Sequence, residues 1–292
     1  MEFWVAFAIS AAFMQNIRAM TQRQLAERLD TLSATYARFL FASPISALFL
    51  VSLLYRPGVS FPIFDLTFIL YGILGGISQI LATVLLIYLY SLRNFAVGSA
   101  FKKTESLQAA FIGFLIAGDL ISITGFFALG LGLLGVLLLA KSPISYNFIN
   151  VPAFLGLFCG TLFAASAVFY RSSILSLDGG DYLIKATLTL TFVLIFQSFR
   201  MGVYLEIRKP GTLSKILKFW PFVLLASFAG ALASLFWFSA FALQNAAYVK
   251  AVGQIELLFS LLASVLFFKE RVRIQEILGI IFVALSILIL AI

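Results

Sequence analysis

The sequence predicts an all-α integral membrane protein of ten transmembrane helices, arranged as two inverted five-helix repeats. Three observations predict this fold. Of the 292 residues, 62% are hydrophobic and only 11% are charged, whereas a soluble domain is typically about 25% charged. The apolar residues form ten long segments, and part of the first half of the chain recurs in the second half. Lipid must therefore cover some of the apolar surface.

The ten apolar segments are each close to the roughly 20 residues that a helix needs to cross a bilayer. None of them alternates between polar and apolar residues as the strands of a membrane barrel do. The loops are short, and the longest polar loops run from Thr21 to Leu32 and from Ile207 to Lys218. The predicted spans are 3–20, 33–54, 64–92, 94–117, 120–140, 152–175, 182–206, 219–243, 246–268 and 274–292.

The internal repeat aligns residues 82–140 without a gap on residues 233–291, a shift of 151 positions. Acidic residues deep in a membrane helix are rare, so a matched pair of them is informative. The halves are predicted to be 1–145 and 146–292, and the second must be inverted because each contains an odd number of spans. The matched polar pairs are Asn94 with Asn245, Glu105 with Glu256, and Asp119 with Glu270.

Basic residues gather in the loops on one side of the predicted bundle. Loop lysines and arginines favour the cytoplasm. An even number of spans puts both termini on the same side, and that side is opposite to the basic loops. We therefore expect a multi-pass protein of the cell (inner) membrane with both termini outside the cytoplasm. The residues on the basic side are Arg23, Arg28, Arg93, Lys141, Arg208, Lys209, Lys215, Lys218, Lys269, Arg271 and Arg273.

The composition also limits the chemistry. The chain has no histidine and a single cysteine, Cys159, so the commonest metal ligand and general base are missing. We expect no metal, no cofactor and no catalytic residue, and an intramembrane enzyme is disfavoured. The net charge of +8 is explained by basic loops, and no nucleic-acid-binding module is recognisable. The N-terminal segment reads as a retained first helix and not as a signal peptide.

Residues 267–279 read Phe-Phe-Lys-Glu-Arg-Val-Arg-Ile-Gln-Glu-Ile-Leu-Gly and precede an apolar helix. This segment resembles the end of a repeat in the EamA-type family of the drug/metabolite transporter superfamily. The resemblance lies in the acidic–basic pair Glu270–Arg271, a short polar turn, Gly279 and a final helix. The first-half copy is weaker, with Asp119 lacking a basic neighbour and Ala128 at the position of Gly279. The resemblance implies ten helices, a central cavity between the halves, alternating access, and a cavity lined partly by the fourth and ninth helices.

Charged residues lie near the middle of the fourth predicted helix. Lys102 and Glu105 are three residues apart and share a helix face, and Lys103 lies beside them. An isolated charge there costs at least ~2.5 kcal/mol on insertion scales, and such charges usually mark a transport pathway. These residues are candidates to bind substrate or an ion, although an ion pair that only holds helices together remains an alternative.

The ninth predicted helix supplies a second group of candidates. Lys250 and Gln254 are four residues apart and face one way, whereas Glu256 is about 160° away from Gln254 around the helix. Lys250 and Arg38 fall closer to membrane edges, where a basic side chain can extend to the headgroups, and Arg18 and Lys185 are read in the same way. The remaining candidates in the predicted substrate site are Tyr36, Arg38, Trp237, Asn245 and Tyr248.

Inverted repeats with charges at mid-membrane depth are typical of secondary transporters, and the chain has no ATP-binding motif. We therefore expect alternating-access transport of a small organic metabolite, with a coupled proton or ion as a possible partner and a monomer or weak dimer in the bilayer. A site with both charges favours an amino-acid-like zwitterion. The alternatives are an organic anion, if the lysines outnumber the acids in the cavity, or a drug. A different class of protein, a lipid flippase or channel, is a further alternative.

Overall fold

The computed structural model describes residues 2–57, 60–91, 101–139, 151–259, 261–262 and 273–291. Within these ranges the chain is helical, and six helices are long and apolar enough to cross a membrane. Together with shorter apolar helices they confirm the predicted all-α membrane fold of about ten helices. The helices are α1 Phe3–Ala26, α2 Thr31–Leu40, α3 Ala42–Leu54, α4 Leu66–Ser91, α5 Glu105–Ala117, α6 Ile123–Leu139, α7 Val151–Leu175, α8 Tyr182–Arg208, α9 Thr212–Leu217, α10 Trp220–Leu243, α11 Ala246–Gly253 and α12 Ile274–Ala291.

Several predicted boundaries were wrong. α1 continues to Ala26 through a segment predicted to be a loop, and the second long loop contains the short helix α9. The predicted break around residues 92–94, the middle loop, the boundary between residues 145 and 146, and the closing motif through residue 272 lie outside the described residues.

The second predicted span is divided into α2 and α3 at Phe41. Pro44 follows this division and has no backbone N–H to donate to the preceding turn, which weakens the helix there. The Phe41 amide instead donates to the Ser227 hydroxyl of α10, 3.3 Å away, and Ser227 donates to the Ala37 carbonyl at 2.9 Å. The bend in this span is therefore fixed by a neighbouring helix.

The fourth and ninth spans are interrupted at equivalent positions of the repeat. Residues 103–104 form a turn before α5, and residues 254–255 form a turn after α11, which is the same place after the shift of 151. In both turns the backbone bonds are short-range, from the Thr104 amide to Phe101 and from the Ile255 amide to Val252, each 3.1 Å. A glutamate starts the helix that follows each turn, Glu105 in one half and Glu256 in the other.

The packing of the helices follows the same two-fold pattern. α1 packs on α10, and α4 packs on α7. α1 and α7 are equivalent in the two halves, as are α4 and α10, so the two contacts are equivalent to each other. α6 crosses α12 at Gly135 and Gly279, where an added Cβ at either glycine would lie within 2.8 Å of the other's carbonyl oxygen. Small residues permit this backbone contact between membrane helices. The arrangement leaves a cavity at the centre, between the two halves.

Candidate functional site

The central cavity is lined by helices of both halves. Its volume is about 50 Å³, measured as the space open to the centre of a water molecule. Aromatic side chains form much of its wall, namely Phe163, Tyr170, Trp237, Phe238 and Phe241. The polar side chains that line it are Gln15, Arg18, Arg38, Gln79, Lys102, Glu105, Ser166, Ser234 and Lys250.

Basic groups outnumber acidic groups in this cavity. Arg18, Arg38, Lys102 and Lys250 line it, and among the described lining residues the one carboxylate is that of Glu105. All but a few per cent of the surface of Arg38, Lys102 and Glu105 is buried. The excess of positive charge attracts anions strongly because little water screens it.

An ion cluster around Glu105 forms part of the cavity wall. The carboxylate Oε2 lies 3.8 Å from Lys102 Nζ and 4.0 Å from Lys250 Nζ. The Lys102 ammonium lies 4.9 Å from the centre of the Phe163 ring, and that of Lys250 lies 5.0 Å from the Trp237 ring. The ring faces add to the attraction that holds both ammonium groups at the cavity wall.

Two arginines also line the cavity. Arg38 donates from Nη1 to the Thr83 hydroxyl at 3.3 Å, and its guanidinium lies 4.6 Å from the centre of the Phe39 ring. The Arg18 stem passes over Gly230, where an added Cβ would be 3.2 Å from Arg18 Cδ. Thus Arg38 is buried in the protein interior and Arg18 lies well within α1, which differs from the expectation that both extend to the membrane surface.

Glu256 lies behind the cavity wall, in contact with a different set of side chains. Its carboxylate pairs with Lys103 and accepts a hydrogen bond from Gln15 Nε2 at 2.6 Å. Gln15 in turn accepts a hydrogen bond from Trp237 Nε1 at 3.1 Å. The Lys103–Glu256 pair thus joins the two halves of the protein and supports the wall through Gln15.

The other predicted site residues fall in several places. Trp237 and Lys250 line the cavity, so Lys250 does not extend to the surface as expected. Gln254 donates to the Ser106 hydroxyl at 3.0 Å and to the Lys103 carbonyl at 3.3 Å, which links the two interrupted helices. Asn245 caps α11 through the Ala247 amide. Tyr248 contacts Ser122, and Tyr36 lines a separate peripheral pocket beside Gly202.

Several residues of the cavity wall were not among the predicted site residues. Tyr170 and Gln79 are joined by a hydrogen bond of 3.1 Å, and Gln197 donates to both of them. Gln15 and Arg18 both lie inside the predicted span 3–20. Polar and charged side chains are rare within a span, and that rarity is the signal that could have identified them.

Comparison with known families matches the chain twice, over residues 2–141 and 150–292, to the EamA-like transporter family. The chain belongs to the EamA-like transporter family. This confirms the resemblance seen in residues 267–279. It also supports a membrane carrier, since the family consists of transporters and not of enzymes.

No curated protein matches this EamA-like transporter. Among solved structures, one described only as "Crystal structure of protein" superposes with a TM-score of 0.71 at 10% sequence identity. The match covers 98% of this chain and 95% of the other. At this identity the likeness supports the fold alone.

Proposed function

We propose that this EamA-like protein is a secondary transporter for small organic anions that works by alternating access. The observation that carries the proposal is the ratio of charges in the central cavity, four basic side chains to one carboxylate among the described lining residues. The sequence favoured a zwitterion and gave an organic anion as the alternative if the lysines outnumber the acids in the cavity. Lys102 and Lys250 line the cavity with Glu105, and this lining supports the anion.

The wall of the cavity suits the organic part of such a substrate. The side chains of Trp237, Phe238 and Phe241 lie on one helix, α10, and face Phe163 and Tyr170 of α7. Aromatic faces bind flat or apolar groups by burying their surface. The small volume fits a compact metabolite better than a large drug.

An amino-acid-like zwitterion is the second candidate because Glu105 could bind an ammonium group. Two lysines already lie within 4.0 Å of this carboxylate. A substrate ammonium would therefore compete with ammonium groups that the protein supplies itself. This competition makes the zwitterion the weaker proposal.

Transport by the purified protein in liposomes tests the function. The panel contains labelled small carboxylates, neutral amino acids and organic cations, each at the same concentration, with empty liposomes as the control. We expect saturable uptake of one or more carboxylates, driven by a proton or ion gradient or by exchange. Saturable uptake of cations alone would contradict the proposal. Uptake of amino acids without carboxylates would favour the zwitterion.

We also propose that both termini lie outside the cytoplasm, because the basic loops between spans gather on the opposite side. The loop with Lys209, Lys215 and Lys218 belongs to that basic side and includes the short helix α9. A reporter active only in the periplasm, fused after Ile292, tests the orientation. Activity of a cytoplasmic reporter at that position would reverse it.

A further inference from the structure

The charges of the cavity differ in how they are neutralised. Lys102 and Lys250 share the Glu105 carboxylate. Arg38 has no carboxylate within 4.0 Å among the described residues, although only 3% of its surface is exposed. A buried guanidinium without a counter-charge is costly. An anion in the cavity would supply that charge.

The guanidinium of Arg38 is held in place by neutral groups. The Thr83 hydroxyl accepts one of its hydrogen bonds, and it is itself fixed by donating to the Gln79 carbonyl at 2.8 Å. The Phe39 ring supports the guanidinium on one face. A guanidinium has five N–H groups, and the described residues accept a hydrogen bond from one of them. The remaining donors are available to a ligand in the cavity that Arg38 lines.

From this arrangement we infer that Arg38 binds the anionic group of the substrate, and that Thr83 and Phe39 orient it for that purpose. This inference rests on the proposed function and assigns its anion-binding residue. A guanidinium binds carboxylate and phosphate oxygens through two parallel hydrogen bonds, which suits it to this role. Arg18 strengthens the positive field from the neighbouring wall.

The same assignment gives the substrate an orientation. Its anionic group lies toward α2 and its organic part lies against Trp237 and Phe238 of α10. The Glu105 carboxylate partly neutralises Lys102 and Lys250, which makes them weaker sites for the anionic group than Arg38. A compact organic acid that has one oxyanion group and an apolar body fits this arrangement.

A thiol placed in the cavity tests the inference without knowledge of the substrate. Ser234 lines the same cavity on α10, and Cys159 is the only cysteine in the chain. In a Cys159→Ser background, the Ser234→Cys variant is treated with anionic sulfonatoethyl methanethiosulfonate and with its cationic trimethylammonioethyl analogue. The ratio of the two modification rates, relative to that of a free thiol, reports the local charge.

We expect the cavity to favour the anionic reagent, and Arg38→Gln to lower the rate ratio by about tenfold, as expected for one nearby charge at low screening. Arg38→Lys should retain most of the ratio. Arg171→Gln is the matched control because Arg171 is partly buried and paired with Asp119 outside the cavity, at 3.2 Å. It should leave the ratio unchanged. A circular dichroism spectrum and a gel-filtration profile check that each variant is folded.

An unchanged ratio in folded Arg38→Gln, or an equal fall in Arg171→Gln, would overturn the inference. The lack of any modification by either reagent would overturn it too, because the cavity would then not admit an anion. The proposed function fails separately. If liposomes take up no organic anion while Arg38 still controls the ratio, the transport proposal is wrong and the binding residue stands. If liposomes take up organic anions and Arg38→Gln does not affect that uptake, the transport proposal stands and the assignment of Arg38 is wrong.

Discussion

Glu105 and Glu256 occupy equivalent positions of the repeat, yet they have different surroundings. Each starts the helix that follows an interrupted span. Glu105 faces the cavity and lies near two lysines at 3.8 and 4.0 Å. Glu256 lies behind the wall and is bound by Lys103 and Gln15. The shared backbone break belongs to the repeated fold, whereas the role of each carboxylate is set by neighbours that the two halves do not share.

The difference follows from two positions beside the glutamates. A shift of 151 places Lys102 on Gly253 and Lys103 on Gln254. The first half thus supplies both lysines, one to each carboxylate, and the second half supplies an amide and a glycine. This asymmetry predicts that Glu256 matters mainly for stability and Glu105 mainly for transport.

The largest expected effect is on stability, in Glu256→Gln. Loss of the carboxylate leaves the Lys103 ammonium buried without its partner, which typically costs about 3–5 kcal/mol. We expect a clearly lower melting temperature in detergent and a smaller yield of monodisperse protein. Lys103→Met should destabilise less than Glu256→Gln with Lys103 retained. If Glu256→Gln melts like the wild type, the pair does not hold the halves together.

A double variant sharpens this prediction. Lys103→Met combined with Glu256→Gln removes both charges together, and the free energies of the single changes should then be far from additive. We expect a coupling of about 2 kcal/mol in favour of the double variant, within the range seen for groups in direct contact. Additive changes in melting temperature would indicate that each residue acts alone.

The second effect concerns transport, in Glu105→Gln. The change removes the one carboxylate from the described cavity wall. We expect a smaller loss of stability than in Glu256→Gln, because the Phe163 and Trp237 rings still contact the two ammonium groups. For an anionic substrate we expect KM to fall by about tenfold, or ~1.4 kcal/mol, with a slower turnover, because a more positive site binds and releases the anion less readily. For a zwitterion KM should rise. Uptake kinetics in liposomes therefore distinguish the two substrate classes.

The sequence was sufficient for the fold and for part of this site. Apolar segments, the shift of 151 and the pair Glu105 and Glu256 can be read from the residues alone, because membrane helices and repeated acids leave a strong pattern. The family match then confirmed the resemblance in residues 267–279.

The arginines could not be placed in this way. Arg18 was interpreted as an edge residue because the predicted first span ended at residue 20, whereas α1 continues to Ala26. Arg38 was a candidate site residue, but its place near the start of the second predicted span favoured an edge position. A helix six residues longer moves Arg18 into its interior, and only the packing of α2 against α10 shows which way Arg38 points. Depth in a helix depends on tertiary contacts that a single sequence does not contain.

A third prediction compares two lysines. Lys250 lines the cavity beside Glu105, whereas Lys185 donates to the Leu177 carbonyl at 2.5 Å near the start of α8. Lys250→Gln should raise KM for an anion by about fivefold, or ~1 kcal/mol. Lys185→Gln should leave KM unchanged within twofold. Equal effects of the two changes would mean that overall charge, and not position in the cavity, governs substrate binding.

The smallest effect is expected at Asp30, which gives an exposed ion pair for comparison with the two buried ones. Asp30 Oδ2 lies 2.6 Å from Lys209 Nζ, and about half of each side chain is exposed. Burial of the carboxyl raises its pKa, but the hydrogen bonds from Lys209 and Ser33 outweigh this and lower the pKa below the usual 3.8. Such exposed pairs contribute about 0–1 kcal/mol.

The lowered pKa fixes the sign of the pH dependence. A carboxyl whose pKa is lower in the folded state stabilises the fold above its unfolded value, near 3.8, and that contribution disappears as the pH falls through the folded value. We therefore expect Asp30→Asn to lower the melting temperature by a degree or two at pH ~7. The effect should become progressively smaller as the pH falls below 3.8. Ser52→Ala, at an exposed hydroxyl of α3, is the control for a change without charge. A destabilisation as large as that of Glu256→Gln would refute the distinction between exposed and buried pairs on which the comparison of the two glutamates depends.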